Sequence, residues 1–332
     1  MPDILVVGAT GFTGRLITRY LLDHPQRTSY TLGIGVRSKS KGKALKKALS
    51  LDDSVNIVLL DITRYDEVEA AVKNTNLVIN AVGPFWNSGE AIVQACVHHG
   101  KKYVDITGEA LFIRELIDRY DELATKTSAI IVPACGFDCV PADLAVYLSN
   151  QTLKRALGPY TDLGLSQTFY SVNFEFSGGS RATLMSMYED APRDKFRESY
   201  QDYALSPVRG FRSPCLHLPR PVPLHSPPIF AAPYVMAGID RAVVQRTFGL
   251  NQLKFSTARM LQGEKSGREQ EQLLRPLTYG SQFRYGEFLF TGSGGYYRAL
   301  LHSVFMILTL ILLRLPAASD LNLDSLLAAF LC

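Results

Sequence analysis

Short apolar runs and helical patterns alternate through the first 133 residues of the chain. Apolar runs of this length indicate buried strands, and they lie at residues 4–7, 30–36, 55–60, 76–82, 102–106 and 129–133. Apolar residues repeat with helical spacing near residues 15–22, 39–49, 65–73, 88–99 and 110–125. Strands separated by helices of this length are typical of a parallel sheet that is covered on both faces. The pattern therefore predicts an α/β fold with a doubly wound parallel sheet over residues 1–150.

The first apolar run is followed by a glycine-rich turn, GATGFTG at residues 8–14, and then by the first helical pattern. Strand, glycine turn and helix form the Rossmann-type geometry that sets a dinucleotide pyrophosphate on the backbone N–H groups of a helix N-terminus. The glycines are spaced three and three, whereas the commonest fingerprint is two and three, so this motif is a variant. An ordinary βα turn is the alternative. The predicted coenzyme contacts here are Gly8, Thr10, Gly11, Phe12, Thr13 and Gly14.

The end of the second strand indicates which coenzyme is bound. An NAD-specific domain usually presents Asp or Glu to the ribose 2′-hydroxyl at this place. This chain has Arg37, followed by Ser38 and a basic stretch. A guanidinium can hold a 2′-phosphate through paired, charge-assisted hydrogen bonds. We therefore expect NADP(H) with Arg37 and Ser38 as contacts, and a solvated basic helix start is the alternative.

Two further segments follow predicted strands and should border the same crevice, because ligands of such sheets bind beyond the carboxyl ends of the strands. Asp61 follows the third strand and is expected to meet the adenine end of the coenzyme. A helix N-cap is an equally open interpretation of Asp61. After the fourth strand, Ala81, Val82 and Gly83 are expected to contact the ribose.

Composition excludes several classes of protein. The chain has 332 residues, of which 47% are hydrophobic and 20% charged, as in folded globular proteins. Its net charge of +4 is scattered, so nucleic-acid binding has no support. Five cysteines without paired spacing favour free thiols in a reducing, intracellular compartment. No metal site is expected, and no signal peptide, because the first strand begins at residue 4.

A series of motifs resembles the saccharopine dehydrogenase-like oxidoreductases. The segments that carry the resemblance are GATGFTG (8–14), NAVGPFWNSGEAIVQAC (80–96), YVDITGE (103–109) and CGFDCVPADL (135–144), with weaker similarity in FSGGSRATL (176–184) and AGIDRAVVQRTFG (237–249). The bacterial branch of this family includes trans-acting enoyl reductases, fungal members often lie among secondary-metabolite enzymes, and animal members are associated with membranes or lipid droplets. The resemblance implies an NADP-type oxidoreductase that acts on an apolar or polyketide-like molecule.

The chain departs from the family pattern in two places. Cys139 stands where family members usually have Ser. After the apolar stretch at 299–315, members normally continue with a segment that completes the second domain, whereas this sequence ends in a Leu- and Ala-rich tail at 316–332. These departures imply a C-terminally truncated or divergent copy.

Residues 151–298 are predicted to form a smaller α+β substrate domain. Alternating residues predict a half-buried strand over 166–176, and a helix is expected from Gly178 to about Glu189. Eight prolines between residues 207 and 233 predict an extended surface loop without regular structure.

Residues 299–315 form the most apolar stretch of the chain. A membrane-spanning helix needs about 20 apolar residues, with a lower limit of roughly 17. A buried core helix, an interfacial helix and a single membrane span all remain open. The residues that would suit interface anchors are Tyr296, Tyr297, Arg298 and Arg314. Together with the family resemblance, they lead us to expect membrane association.

Candidate catalytic groups are carboxylic acids. Short-chain reductases use a Tyr-x-x-x-Lys acid, and none of the sixteen tyrosines has Lys four residues later. The polar groups beside the expected nicotinamide site are Asp105, Glu109 and Asp138, and a buried carboxyl with a raised pKa can act as general acid or base. Capping of nearby helix N-termini is the alternative for all of them.

The sequence therefore predicts NADPH-dependent reduction of a hydrophobic small molecule, such as an enoyl group of a polyketide- or lipid-type metabolite. A polyketide synthase, a membrane or lipid-droplet surface on its cytoplasmic face, and a second copy of the chain are the expected partners. One alternative is a non-catalytic nucleotide-binding membrane or lipid-droplet protein. Another is an amino-acid dehydrogenase like saccharopine reductase, for which Arg181 and Arg241 are candidate carboxylate ligands.

Overall fold

The computed structural model describes residues 2–172, 178–213, 219–223, 225–226, 228–261, 265–292 and 295–312. The chain divides into two compact units. The first comprises Met1–Phe137 with Ser177–Pro192, and the second contains the remaining described residues. The sequence predicts a domain boundary near residue 150. The contacts in the structure instead place the boundary after Phe137 and assign the segment 177–192 to the first unit.

The first unit is built on a six-stranded sheet in which every pairing is parallel. Its strands are β1 (Ile4–Val7), β2 (Leu32–Val36), β3 (Val55–Leu59), β4 (Leu77–Asn80), β5 (Lys102–Asp105) and β6 (Ile130–Val132). They lie in the order β3-β2-β1-β4-β5-β6, the order of a doubly wound nucleotide-binding sheet. The predicted Rossmann-type fold is confirmed.

Helices cover both faces of this sheet. They are α1 (Phe12–Asp23), α2 (Lys39–Ala48), α3 (Tyr65–Lys73), α4 (Phe85–Ser88), α5 (Glu90–His98) and α6 (Ala110–Thr127). In β1, Leu5 and Val7 pack into one apolar cluster and Val6 into the other, as the alternation of side chains in a strand requires. The helix predicted at 88–99 is divided at Gly89, where a Cβ atom would lie 2.6 Å from the ring of Phe112.

The second unit combines helices with a smaller sheet. In chain order the remaining elements are α7 (Val140–Leu157), β7 (Leu165–Tyr170), α8 (Gly178–Glu189, in the first unit), α9 (Arg193–Ser199), β8 (Arg220–Pro221), β9 (Phe230–Pro233), α10 (Ala237–Met260), α11 (Lys265–Leu274), β10 (Arg284–Phe290) and α12 (Gly295–Leu312). The strand order is β7-β10-β9-β8, with β10 parallel to β7 and antiparallel to β9. The helix predicted to begin at Gly178 is present, and the last part of the strand predicted over 166–176 lies outside the described residues.

The proline-rich segment is not wholly irregular, which corrects the sequence-based expectation. Its described parts include β8 and β9. Pro221 lies in the edge strand of the sheet and Pro233 is the last residue of its strand. Proline is tolerated at such places because a missing backbone N–H is least costly there.

The apolar stretch begins within α12, which has one buried and one exposed face. Ala299 and Ser303 are buried, whereas Tyr297 and Leu301 are 79% and 70% exposed. Across the described ranges, no helix combines the length and the hydropathy that crossing a bilayer requires.

Candidate functional site

The glycine turn joins β1 to α1, and two of its glycines stand where no side chain fits. Gly8 has a φ of +83°, and a Cβ atom there would lie 2.8 Å from the carbonyl carbon of Ala81. A Cβ atom on Gly14 would lie 2.1 Å from the carbonyl oxygen of Gly8. The turn, the start of α1 and the segment after β4 therefore pack backbone against backbone.

The N-terminus of α1 has the properties of an anion site. Its N-cap is Gly11, which provides no side-chain cap, and the first N–H groups of a helix have no acceptors within the helix. These groups and the positive end of the helix dipole suit a phosphate. Phe12 is 72% exposed, and Thr10 and Thr13 are half-buried. The N–H of Gly11 donates to the carbonyl oxygen of Gly8 over 3.0 Å, so it closes the turn.

Arg37 and Asp61 lie near each other beyond the ends of β2 and β3. Arg37 is exposed. Asp61 accepts hydrogen bonds from the backbone N–H and the hydroxyl of Thr63, over 3.0 and 2.8 Å. These bonds, followed by the charges of Arg37 and Arg64, hold the pKa of Asp61 below its usual value. Asp61 is thus ionised and stabilises the turn before α3, whose N-cap is Arg64.

Ser38 follows β2 and the segment 81–83 follows β4, so both lie beyond the carboxyl ends of the strands. The hydroxyl of Ser38 accepts the N–H of Lys41 over 3.4 Å and caps α2. The N–H of Ala81 donates to the carbonyl oxygen of Val7 over 2.9 Å, which fixes the segment against β1. Val82 donates its N–H to Oδ1 of Asn80 over 3.0 Å. Gly83 faces Thr183 of α8, since a Cβ atom there would lie 3.4 Å from its hydroxyl.

Asp105 is fully buried at the end of β5, and both of its carboxyl oxygens are used. Oδ1 accepts the N–H groups of Thr107 and Ala134 over 3.0 and 2.8 Å, and Oδ2 accepts the hydroxyl of Tyr103 over 2.8 Å. The amide of Asn80 donates to the same Tyr103 oxygen over 3.2 Å. Burial raises the pKa of Asp105 to about 6. The network connects the ends of β4, β5 and β6.

Glu109 is also fully buried, and it caps a helix other than the one expected. Its two oxygens accept the N–H groups of Phe85 and Trp86 over 2.8 and 2.7 Å, at the start of α4. At the start of α6, where the sequence suggested a cap, the Glu109 side chain makes no cap hydrogen bond. Burial raises its pKa, while the two N–H groups oppose that rise.

Asp138, the third predicted catalytic carboxyl, belongs to the second unit. Asp138 is half-buried, and burial raises its pKa. Arg241 forms an ion pair with Asp202, with Nε 3.5 Å from Oδ1, and donates to the carbonyl oxygen of Tyr200 over 3.4 Å. The side chain of Arg181 lies outside the described residues.

The sequence analysis missed a buried pair of carboxyl groups in the second unit, Asp240 of α10 and Glu287 of β10. Burial raises the pKa of both. The charge of Glu287 raises the pKa of Asp240 further, whereas side-chain hydrogen bonds with Asp240, Tyr285 and Tyr170 oppose the rise at Glu287. Periodicity could have pointed to each residue singly. Asp240 shares the buried helical face of Val244 and Phe248, and Glu287 is buried on its strand with Tyr285 and Leu289.

The residues of the first unit fit an NADP-type coenzyme. The glycine turn leaves no room for a side chain at Gly8 or Gly14, and the start of α1 offers uncapped N–H groups. Arg37 is an exposed cation where the 2′-phosphate is expected. Residues 4–132 match the family model described as the saccharopine dehydrogenase NADP-binding domain. This match confirms the prediction of an NADP-type coenzyme.

Relatives extend the similarity beyond that domain. The chain is 31% identical over 294 residues to a protein named trans-acting enoyl reductase from Mycobacterium tuberculosis, covering 87% of this chain and 66% of that protein. It is 30% identical over 203 residues to a lipid droplet localized protein from Caenorhabditis elegans, covering 58% of this chain and 46% of that protein. The chain thus spans about two thirds of the enoyl reductase relative.

A solved structure shows the same fold. Apo saccharopine dehydrogenase (L-Glu forming) from Saccharomyces cerevisiae superposes with a TM-score of 0.51 at 13% identity, over 96% of this chain and 60% of that one. The matched NADP-binding domain, the relatives and the fold agree with the resemblance carried by the sequence motifs. Residues 4–132 of the chain belong to the family of saccharopine dehydrogenase NADP-binding domains.

Proposed function

We propose that this protein is an NADPH-dependent reductase of a hydrophobic small molecule, and that its substrate carries an enoyl group of polyketide or lipid type. The observation that carries the proposal is the glycine turn followed by Arg37, in a chain 31% identical to a trans-acting enoyl reductase. Bound NADPH supplies a hydride, which is the half of the reaction that protein side chains cannot provide.

The first unit would hold the coenzyme. Gly8, Gly11 and Gly14 with Thr10, Phe12 and Thr13 would surround the pyrophosphate at the start of α1. Arg37 and Ser38 would bind the 2′-phosphate. Asp61 and the segment 81–83 would border the adenosine and the ribose. Asp105 and Glu109 accept backbone hydrogen bonds that stabilise the segments at the carboxyl ends of the strands. Their catalytic role stays a prediction.

A direct assay tests the proposed reaction. The full chain is incubated with NADPH and a series of α,β-unsaturated acyl thioesters that differ in chain length, and products are identified by mass spectrometry. We expect a saturated product whose yield rises with chain length and equals the NADPH consumed. NADPH that stays reduced with every thioester would contradict the proposal.

The name of the relative also bears on the partner. The relative is named a trans-acting enoyl reductase. A trans-acting enzyme works on a substrate that another protein presents, and we propose that a polyketide synthase presents it here on an acyl carrier protein. The assay therefore compares one acyl chain on coenzyme A with the same chain on an acyl carrier protein. We expect a lower KM for the acyl chain bound to the carrier protein. Equal KM values would exclude the carrier protein as a partner.

A lipid surface is the second proposed partner, supported by the exposed face of α12. Tyr297, Leu301 and Leu308 are 79%, 70% and 52% exposed and lie on one side of the helix. Leu301→Glu should lower recovery of the protein with floated phospholipid vesicles, while Leu273→Glu, at a 74% exposed position of α11, should not. Equal recovery of both variants would exclude α12 as the contact. A non-catalytic lipid-surface protein is the alternative function, and it requires NADPH binding without turnover.

A further inference from the structure

Helix α8 packs on the first unit, although the chain passes through the second unit before and after it. There it contacts α4. The amide of Asn87 in α4 donates to Oδ2 of Asp190, just after α8, over 2.7 Å. Thr183, Ser186 and Asp190 are spaced three and four residues apart, which places them on one side of the helix. Ser186 on that side is 6% exposed, so α8 is fixed to the first unit through this side.

Through Thr183, α8 reaches the segments that follow β4 and β5. A Cβ atom on Gly83, beyond β4, would lie 3.4 Å from the hydroxyl oxygen of Thr183. The same hydroxyl is hydrogen-bonded to the buried carboxyl of Glu109, beyond β5. Gly83 is exposed and Thr183 is half-buried. A side chain at Gly83 would stand against the hydroxyl, so the glycine keeps this oxygen accessible.

The hydrogen of the Thr183 hydroxyl is used by Glu109. Their bond lowers the pKa of Glu109, as a hydroxyl does when it donates to the ionised form of a carboxyl group. A hydroxyl has one hydrogen to donate and two lone pairs that accept. With its hydrogen given to Glu109, the Thr183 oxygen can only accept. A ligand that binds it must therefore present an N–H or O–H donor.

The proposed coenzyme site sets the path of the coenzyme across the sheet. Arg37, after β2, would hold the 2′-phosphate of the adenosine half, and the start of α1 would hold the pyrophosphate. In the order β3-β2-β1-β4-β5-β6, β2 and β4 lie on opposite sides of β1. The nicotinamide half would therefore extend from the pyrophosphate towards the carboxyl ends of β4 and β5, where ligands of such sheets bind. Gly83 and the Thr183 hydroxyl lie beyond β4, in the path of this half.

We propose that the Thr183 hydroxyl binds the nicotinamide riboside half of the coenzyme by accepting a hydrogen bond from it, with Glu109 as the positioning residue. This inference rests on the proposed function, which supplies the coenzyme site. Two groups of this half can donate, namely the carboxamide NH₂ of the nicotinamide ring and the hydroxyls of its ribose. Glu109 acts through Thr183, because it takes the hydroxyl hydrogen and so turns the lone pairs towards the ligand.

The test removes the hydroxyl and measures binding of ligands that contain different parts of the coenzyme. Thr183→Val has nearly the same shape without the hydroxyl. Isothermal titration calorimetry compares three ligands: NADP⁺, its acetylpyridine analogue, in which a methyl group replaces the carboxamide NH₂, and adenosine 2′,5′-bisphosphate, which has no nicotinamide riboside. The matched control is Thr125→Val, which removes an exposed hydroxyl of α6 that donates to the carbonyl oxygen of Asp121 over 2.9 Å.

We expect Thr183→Val to bind NADP⁺ about three- to tenfold more weakly, the effect of one lost hydrogen bond, and to keep the wild-type affinity for adenosine 2′,5′-bisphosphate. Thr125→Val should bind all three ligands as the wild type does. If the carboxamide is the donor, the acetylpyridine analogue binds the wild type and Thr183→Val equally. If a ribose hydroxyl is the donor, Thr183→Val loses affinity for the analogue as it does for NADP⁺.

A wild-type affinity of Thr183→Val for NADP⁺ would overturn the assignment. An equal loss of affinity for NADP⁺ and for the bisphosphate would also overturn it, because such a loss indicates a general distortion of the first unit. In both cases, NADP⁺ binding by the wild type leaves the proposed function intact. A wild type that binds neither ligand would remove the proposed function and this inference together.

A second measurement does not depend on the folding of Thr183→Val. Threonine methyl groups are labelled with ¹³C and followed by NMR in the wild type. Thr183→Ser lacks the methyl group and keeps the hydroxyl, so its spectrum identifies the Thr183 signal, and its affinity for NADP⁺ should stay close to that of the wild type. The Thr183 signal should shift on addition of NADP⁺ and not of the bisphosphate, while the Thr125 signal stays in place. A Thr183 signal that NADP⁺ leaves unchanged would contradict the proposal.

Discussion

Gly14 lies against Gly8 so closely that a Cβ atom on Gly14 would stand 2.1 Å from the Gly8 carbonyl oxygen. The contact joins the end of β1 to the first turn of α1. The same Gly8 touches Ala81 beyond β4. The shape of the proposed pyrophosphate site therefore depends on the absence of two side chains.

Replacing Gly14 by Ala should disrupt this site. The added methyl group must displace the turn, because the atom that it meets is backbone and cannot rotate away. We expect NADPH affinity, measured by quenching of protein fluorescence, to fall at least about tenfold, or about 1.4 kcal/mol. Gly164→Ala is the control, since nothing lies within 4 Å of its Cβ position. Unchanged affinity in Gly14→Ala would show that the coenzyme does not use this turn.

The sheet of the first unit could be predicted from the sequence because buried parallel strands are continuous apolar runs. The predicted run at 55–60 and the observed β3, Val55–Leu59, illustrate how closely the bounds agree. The turn at residues 8–14 could be predicted because it needs glycines at fixed spacing.

Contacts between distant parts of the chain could not be predicted. Glu109 caps α4 from 24 residues away, and the sequence offers only the nearer helix at 110 as a partner. Asp240 and Glu287 lie on different elements, and periodicity marks each as buried without indicating that they meet. The segment 177–192 belongs to the first unit because of contacts with residues distant in the sequence, which local sequence patterns do not indicate.

Arg37→Asp tests the choice of coenzyme. An aspartate would repel a 2′-phosphate, and it can accept hydrogen bonds from the ribose hydroxyls of NADH. The ratio of NADH affinity to NADPH affinity should therefore rise at least about a hundredfold. Lys43→Asp makes the same charge change at an exposed position of α2 and should leave the ratio nearly unchanged. An equal change of this ratio in both variants would show that the net charge of the protein, and not a contact of Arg37, determines the choice of coenzyme.

Asp105 should make stability depend on pH. Its pKa rises from 3.8 in the unfolded chain to about 6 in the fold. The folded protein therefore binds this proton more tightly, and stability falls as pH rises from about 4 to about 6. The rise in pKa corresponds to about 3 kcal/mol. Urea unfolding across this range should show a shallower decline in Asp105→Asn than in the wild type.

The control for that experiment is Asp121→Asn, which changes an exposed carboxyl of α6. It should follow the wild-type decline. A decline in Asp105→Asn as steep as that of the wild type would show that the buried carboxyl does not hold its proton in the fold. Asp143, with a pKa also raised to about 6, accounts for a remaining slope in both variants.

Glu109→Gln tests whether this carboxyl supports the fold. The amide has one oxygen where the carboxylate has two, so the N–H of Phe85 or Trp86 would face an NH₂ group. A buried donor without an acceptor costs about 1–3 kcal/mol. The free energy of unfolding should drop by that amount. Glu122→Gln, in an exposed ion pair with Lys126, should change it by less than about 1 kcal/mol. Equal effects would assign Glu109 no structural role.

The central claim is that the glycine turn and Arg37 of the first unit bind a phosphorylated nicotinamide coenzyme. Isothermal titration calorimetry of the full chain with NADPH, and then with NADH, measures this most directly. The account predicts saturable heat with one NADPH per chain and weaker binding of NADH. An absence of heat with both coenzymes, in protein whose folding is verified by circular dichroism, would contradict it.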